Sequence, residues 1–259
     1  MRELIEHGEG CDRGFADALV RMAWLRTSDC AQRAELGTLH EAVRAAASRR
    51  HRPLRARIAQ GELRGRELRG LFEAAPPLER DHFVEEVLGI AYPPLDEPAL
   101  GTGEMTYAPS GFDEIVHAFD ATGLGPGHRL LDLGAGLGKV VMLAALLTGA
   151  ESVGVERDGA LCELGEAARR ELGLGGVQLR RGDARDADSA RADVVFMYLP
   201  FTGEVLATVL TRLLADAHRS AGRAGRRFLC AGALDPRLYP QLVAAGPPRS
   251  WLNVYRFAD

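Results

Sequence analysis

Residues able to bind or react with a small polar ligand stand in one dense stretch and at three positions after it. From Leu130 the chain reads Leu-Leu-Asp-Leu-Gly-Ala-Gly-Leu-Gly-Lys-Val-Val. Leu130, Leu131 and Leu133 suit a short buried strand, and Gly134, Gly136 and Gly138 keep side chains out of a tight turn. Val140, Met142, Leu143 and the apolar residues on to Leu147 suit a helix packed on a sheet. A turn of this kind presents backbone N–H groups and a helix N-terminus to a ligand. Glu156 then ends a second apolar run, Asp183 follows a third, and Tyr198-Leu199-Pro200-Phe201 ends a fourth.

The details select among ligands. The spacing Gly134, Gly136, Gly138 is G-x-G-x-G, whereas dinucleotide sites use G-x-G-x-x-G. Lys139 is followed by Val140 and lacks the upstream glycine of a G-x-x-x-x-G-K-[ST] phosphate loop. Asp132 lies at the strand end just before the glycines, where its carboxylate would repel a pyrophosphate and attract an ammonium group. A cationic, phosphate-free nucleoside fits best, namely S-adenosylmethionine. Glu156 stands at the distance where doubly wound folds place an acid on the ribose hydroxyls. The Asp183 carboxylate can accept from the adenine amino group, with Ala184 beside it.

Taken in order, the glycine turn, Glu156, Gly182-Asp183 and the aromatic-proline strand end resemble the class I methyltransferases that use S-adenosylmethionine, over roughly residues 103 to 259. Tyr107-Ala-Pro-Ser110, then Phe112-Asp113, resembles the Tyr-Gly-Glu-Thr, then Phe-Asp, of the non-SET histone lysine methyltransferases, the disruptor-of-telomeric-silencing family, in a divergent, bacterial-like form. Ala108 and Pro109 stand where that family has Gly-Glu. The resemblance implies a loop that closes over the methionine part of the cofactor, with Tyr107 and Ser110 in contact. The expected cofactor contacts are therefore Tyr107, Ser110, Asp132, Gly134, Gly136, Lys139, Glu156, Asp183, Ala184 and Tyr198, with no metal. Where class I amine methyltransferases carry Asn/Asp-Pro-Pro-Tyr/Phe and the histone family Asn-Asn-Phe, this chain has Tyr198-Leu199. Tyr198 is the candidate catalytic residue, and Phe201 could flank a cationic centre. Glu104 and His117 are further candidates for a base.

The elements that must position these residues alternate. Strands are expected at Glu151–Glu156, Val177–Arg180, Ala192–Leu199 and Arg227–Cys230, with helices over Ala160–Leu172 and Glu204–Ala217 between them. The alternating Trp251–Phe257 reads as an antiparallel edge strand. This order predicts an α/β fold, a doubly wound and mostly parallel sheet of the class I methyltransferase type, with a helical N-terminal domain. A helix from Gly111 to Phe119 should be capped by Ser110. Residues 1–90 read as several short helices that could cap a compact pocket, with Phe15, Leu19 and Met22 at helical spacing, Pro53 and Pro76-Pro77 as punctuation, and Asp81 as an N-cap. Residues 91–110 are a proline- and glycine-rich linker and gate loop, and 111–259 the cofactor-binding domain.

Composition narrows the partners. The net charge of −4 argues against obligatory nucleic-acid binding. The cluster Arg49, Arg50, Arg52, Arg55 and Arg57, continued by Arg64, Arg66 and Arg69, has no interleaved aromatics and reads as a solvated helix face part-neutralised by Glu62 and Glu67. Cys11, Cys30, Cys162 and Cys230 show no C-x-x-C pairing, which fits a reducing compartment and no zinc site. No apolar run approaches the ~18 residues of a membrane span, and acids interrupt the N-terminus where a secretory core would lie. A cytoplasmic protein is expected, with oligomeric state open. The acceptor of a methyl group, on a protein or a small molecule and at an amine or a hydroxyl, stays open at this level. So does the alternative of a cofactor-binding scaffold or sensor without turnover.

Overall fold

The computed structural model describes residues 19–91, 95, 102, 105, 107–198, 200–219, 228–232, 234–235, 237–247 and 252–258. Expectations placed on Cys11, Phe15, Glu104, Leu199, Arg227, Trp251 and most of the 91–106 linker lie outside them. The chain divides into two compact units, one of residues up to Glu97 with Ala168–Gly173, the other of Pro98–Ala167 with Leu174–Asp259.

The first unit is helical among its described residues. After a helical stretch over 19–26 come α1 (Cys30–Ala59), α2 (Gly65–Glu73) and α3 (Pro77–Leu88). Two expectations are corrected here. Pro53 does not divide α1, which runs through it for 30 residues. A buried stripe of His40, Val43, Ala47 and Ile58 gives the helix tertiary support on both sides of the proline. Nor does Asp81 begin a helix. Pro76 is the N-cap and Pro77 sits in the first turn, where its missing N–H costs nothing and its fixed φ suits the helix. The arginine cluster is mixed. Arg49, Arg50 and Arg52 are exposed, and Arg57 pairs with Glu62 and Glu67. Arg55 is instead buried and donates to Glu171 at 2.6 Å.

The second unit is the expected α/β fold. It opens with α4 (Phe112–Thr122) and then runs β1 (Arg129–Leu133), α5 (Lys139–Leu143), β2 (Glu151–Glu156), α6 (Gly159–Glu171, whose residues from Ala168 on belong to the first unit), β3 (Val177–Arg181), β4 (Val194–Met197), α7 (Gly203–Arg219), β5 (Phe228–Ala231), β6 (Leu242–Ala244) and β7 (Asn253–Phe257). The sheet order is β3-β2-β1-β4-β5-β7-β6. The first five strands pair in parallel, and β7 is antiparallel to both β5 and β6. All four residues of β4 are buried, as expected of a strand covered on both faces. After β1 the chain builds outward to β3, then returns to the other side of β1 with β4. The switch point therefore lies between β1 and β4, where open α/β sheets bind ligands beyond the strands' carboxyl ends.

The last strands correct the sequence reading. β7 is interior, because β6 pairs along its outer side. β6 has three residues of which only Leu242 is buried, so it carries no alternation to detect. Gly111, not Ser110, is the N-cap of α4, and no side chain caps it. Ser110 is itself buried.

Helix α7 is tied to the segment between β3 and β4 by a buried pair. Ser189 Oγ donates to Asp216 Oδ2 at 2.6 Å, and the Ser189 N–H reaches the same oxygen at 3.3 Å. Ser189→Ala should lower the unfolding free energy by about 1–3 kcal/mol, since a buried acceptor loses a partner. Urea titration checks this, and an unchanged midpoint would show that the pair contributes nothing.

Candidate active site

The glycine turn is built by close approaches that only glycine permits. Gly134, Gly136 and Gly138 all have positive φ, at 81°, 54° and 82°. A Cβ on Gly134 would stand 2.3 Å from Pro200 Cβ, on Gly136 2.3 Å from Tyr107 Cε2, and on Gly138 2.7 Å from Leu179 Cδ1. The turn is thus packed by the segment before α4, the segment after β4 and the middle of β3. Gly154, at the centre of β2, is equally constrained, because a Cβ there would meet Ala135 at 2.6 Å and Leu179 at 2.7 Å. The N–H groups of Gly134 and Ala135 donate to the Val155 carbonyl at 2.9 and 3.1 Å, fixing the turn to β2.

Three carboxylates cross the same end of the sheet. Asp132 in β1 is paired in register with Gly154 of β2 and Phe196 of β4. Glu156 ends β2, and Gly182, next to Asp183, donates its N–H to the Glu156 carbonyl at 2.9 Å. The Glu156 side chain accepts from the Gly136 N–H at 2.8 Å through Oε2 and from the Asp158 N–H at 2.8 Å through Oε1. Asp183 accepts from the Arg185 N–H and guanidinium, which hold its carboxyl below the usual range. Asp132 is only 3% exposed. Its burial, and next the charge of Glu156, push its carboxyl up to about 8. No cationic group among the described residues offsets that shift.

The remaining expected residues fall around this row. Tyr107 lies on Gly136. Lys139, the first residue of α5, is buried. Ala184 begins a single 3₁₀ turn capped by Asp183 and packs against the core of the sheet. Tyr198 follows the last residue of β4 and is half-buried. Two further candidates are placed as follows. Phe201 packs in the core with Val209 and Leu213. His117 lies within α4, half-buried. Sequence reasoning missed Leu179 and Gly154 as partners of the turn, because an apolar strand residue and a strand glycine carry no local sign of what they touch.

S-adenosylmethionine fits this donor set. Asp132 is a buried carboxyl without an offsetting cation among the described residues, suited to an ammonium group. Glu156 and Asp183 supply acceptors along the same edge, and the glycine turn keeps side chains clear. The sign of the proton linkage follows. The folded chain holds the Asp132 proton more tightly than the unfolded chain does, so stability falls as pH rises from the ordinary carboxylate range to about 8. A ligand ammonium favours the ionised form and expels that proton. S-adenosylhomocysteine binding at pH 7 should therefore release close to one proton, seen as different calorimetric enthalpies in phosphate and Tris. Equal enthalpies would contradict the assignment of Asp132.

The model of the family "Histone methylation protein DOT1" matches residues 102–174. A protein-L-isoaspartate O-methyltransferase of Methylorubrum populi is 30% identical over 199 residues, covering 75% of this chain and 87% of that protein. A histone-lysine N-methyltransferase, H3 lysine-79 specific, of Chaetomium globosum is 35% identical over 105 residues, which span 33% of this chain and 21% of that protein. Among solved structures, an RNA methyltransferase of Salinibacter ruber in complex with S-adenosyl-L-homocysteine aligns with a TM-score of 0.46 at 23% identity, over 58% of this chain and 92% of that one. The relatives differ in what they methylate, and with a methyltransferase relative 30% identical over 87% of that protein's length this chain belongs to the class I S-adenosylmethionine-dependent methyltransferases.

Proposed function

We propose that this chain methylates an acceptor that arrives already deprotonated, a protein carboxylate foremost. In this reading Asp132 holds the cofactor's ammonium group, Glu156 its ribose and Asp183 its adenine, while Tyr107 covers the glycine turn. The observation that carries the acceptor half is the end of β4. Val194, Val195, Phe196 and Met197 are apolar and buried, Tyr198 is half-buried, Pro200 lies on Gly134, and Phe201 is in the core. Along this segment there is no carboxylate, imidazole or amide to remove a proton from an ammonium group or to orient an amine.

The cofactor supplies a methyl carbon on a sulfonium centre, for which alignment of a nucleophile provides most of the acceleration. The chain's task is therefore to place the acceptor and exclude water. The Tyr198 phenol is a hydrogen-bond donor. Its hydroxyl can hold one carboxylate oxygen and leave the other to react. The match to the Methylorubrum isoaspartate enzyme supports this reading, since it covers 87% of that protein. The histone-methylation match at 102–174 stops before β4 and so speaks to the cofactor half alone. The free thiols of Cys30, Cys162 and Cys230 support action in a reducing compartment, the cytoplasm foremost. No described helix is long and apolar enough to cross a membrane.

The test is the chemical nature of the product. The chain is incubated with methyl-labelled S-adenosylmethionine and isoaspartate-containing peptides. The label should enter the peptide and be released as methanol in mild alkali, as a methyl ester is. An alkali-stable label, entering lysine peptides instead, would replace the carboxylate with an amine. Cofactor binding with no transfer to either would favour a sensor without turnover.

A further inference from the structure

The 3₁₀ turn after β3 carries an arrangement that the donor site alone does not call for. The Asp183 carboxylate is gripped from one side by a single residue. Oδ1 accepts from the Arg185 N–H at 2.8 Å and from Arg185 Nε at 3.0 Å, and Oδ2 accepts from Nε at 3.1 Å and Nη2 at 2.5 Å. The gripping residue is itself held. Arg212 Nη1, from the middle of α7, donates to the Arg185 carbonyl and also to Asp186 Oδ1 at 3.0 Å. A carboxylate offers about four acceptor positions. The backbone N–H, Nε and Nη2 of Arg185 are three donors, with Nε shared between the two oxygens, which leaves room for a fourth donor.

We propose that Arg185, braced by Arg212, is a positioning residue that sets base selectivity by holding Asp183 as a fixed, ionised acceptor. The inference rests on the placement of Asp183 in the adenine subsite. A fixed anionic acceptor accepts from the 6-amino group of adenine and repels the 6-oxo group of hypoxanthine. A carboxylate free to turn can swing away and lessen that repulsion, and a carboxyl that takes up a proton can donate to the oxo group, so either loses the distinction. The charged groups around Asp183 are Arg185, Arg157, Asp186 and Arg212, and the bidentate Arg185 contact is the largest influence keeping the carboxyl below its ordinary range. Arg212 belongs to the helix that begins just after the β4 end, so the brace ties the base-reading turn to the segment that carries Tyr198 and Pro200.

The experiment compares S-adenosylhomocysteine with S-inosylhomocysteine by calorimetry on the full chain. The wild type should prefer the adenosyl compound by roughly a hundredfold, since the oxo compound leaves one acceptor facing another. Arg185→Ala should cut that preference to about tenfold or less, mainly by tightening the inosyl compound. Arg185→Lys, which offers a point charge without the fork, should fall between. Arg212→Ala should shift it in the same direction by less. In Arg185→Ala the remaining preference should also shrink as pH falls through the ordinary carboxylate range near ~4, while the wild-type preference holds there. Far-ultraviolet circular dichroism confirms that each variant folds. An Arg185→Ala protein that keeps the wild-type preference, while Asp183→Ala loses it, overturns the role of Arg185 alone. An Asp183→Ala protein with unchanged affinity for both compounds overturns the adenine placement beneath it.

Discussion

The site depends on one carboxylate holding two backbone N–H groups. Glu156 ends β2 and reaches across to the Gly136 N–H, while its other oxygen takes the Asp158 N–H at the entrance to α6. Charge-assisted hydrogen bonds of this kind are stronger than neutral ones. They join the middle of the glycine turn to the neighbouring strand end and the following helix. The same charge acts on Asp132, whose buried carboxyl it helps to push up. The architecture thus places two acids close together at the switch point of the sheet, an arrangement that suits a cationic ligand.

Packing enforces the turn from the remaining sides. Tyr107, Pro200 and Leu179 each occupy the space that a side chain at a motif glycine would need. They come from three separate parts of the chain, so the motif is specified by tertiary structure as much as by local backbone freedom. Pro200 has a second consequence. It brings the chain that follows β4 against the glycine turn that follows β1.

What could be read from the residues was what short-range chemistry dictates. β2 ends at Glu156 because the acid closes an apolar run, and β1, β3 and β4 lie within a few residues of their expected limits for the same reason. The order of strand, helix and acid was sufficient for the doubly wound topology. The misreadings came where tertiary contacts override local signals. Pro53 is carried through α1 by the buried stripe on either side, Ser110 yields the cap of α4 to Gly111, and β6 exists because β7 offers it an edge to pair with. Within the site, the glycines, Asp132, Glu156 and Asp183 were legible as types at a spacing. The packing of Leu179 on Gly154 and the grip of Arg185 on Asp183 were not, since neither follows from a pattern of types.

The central claim is that the three strand-end acids and the glycine turn form a site for S-adenosylmethionine. Calorimetric titration of the chain and of Glu156→Ala with S-adenosylhomocysteine tests it most directly. The wild type should bind S-adenosylhomocysteine and not NAD, and the variant should lose about 1.5–3 kcal/mol of binding free energy, the worth of a hydrogen bond to a charged group. Binding of NAD in place of S-adenosylhomocysteine, or a variant that binds as tightly as the wild type, would contradict it.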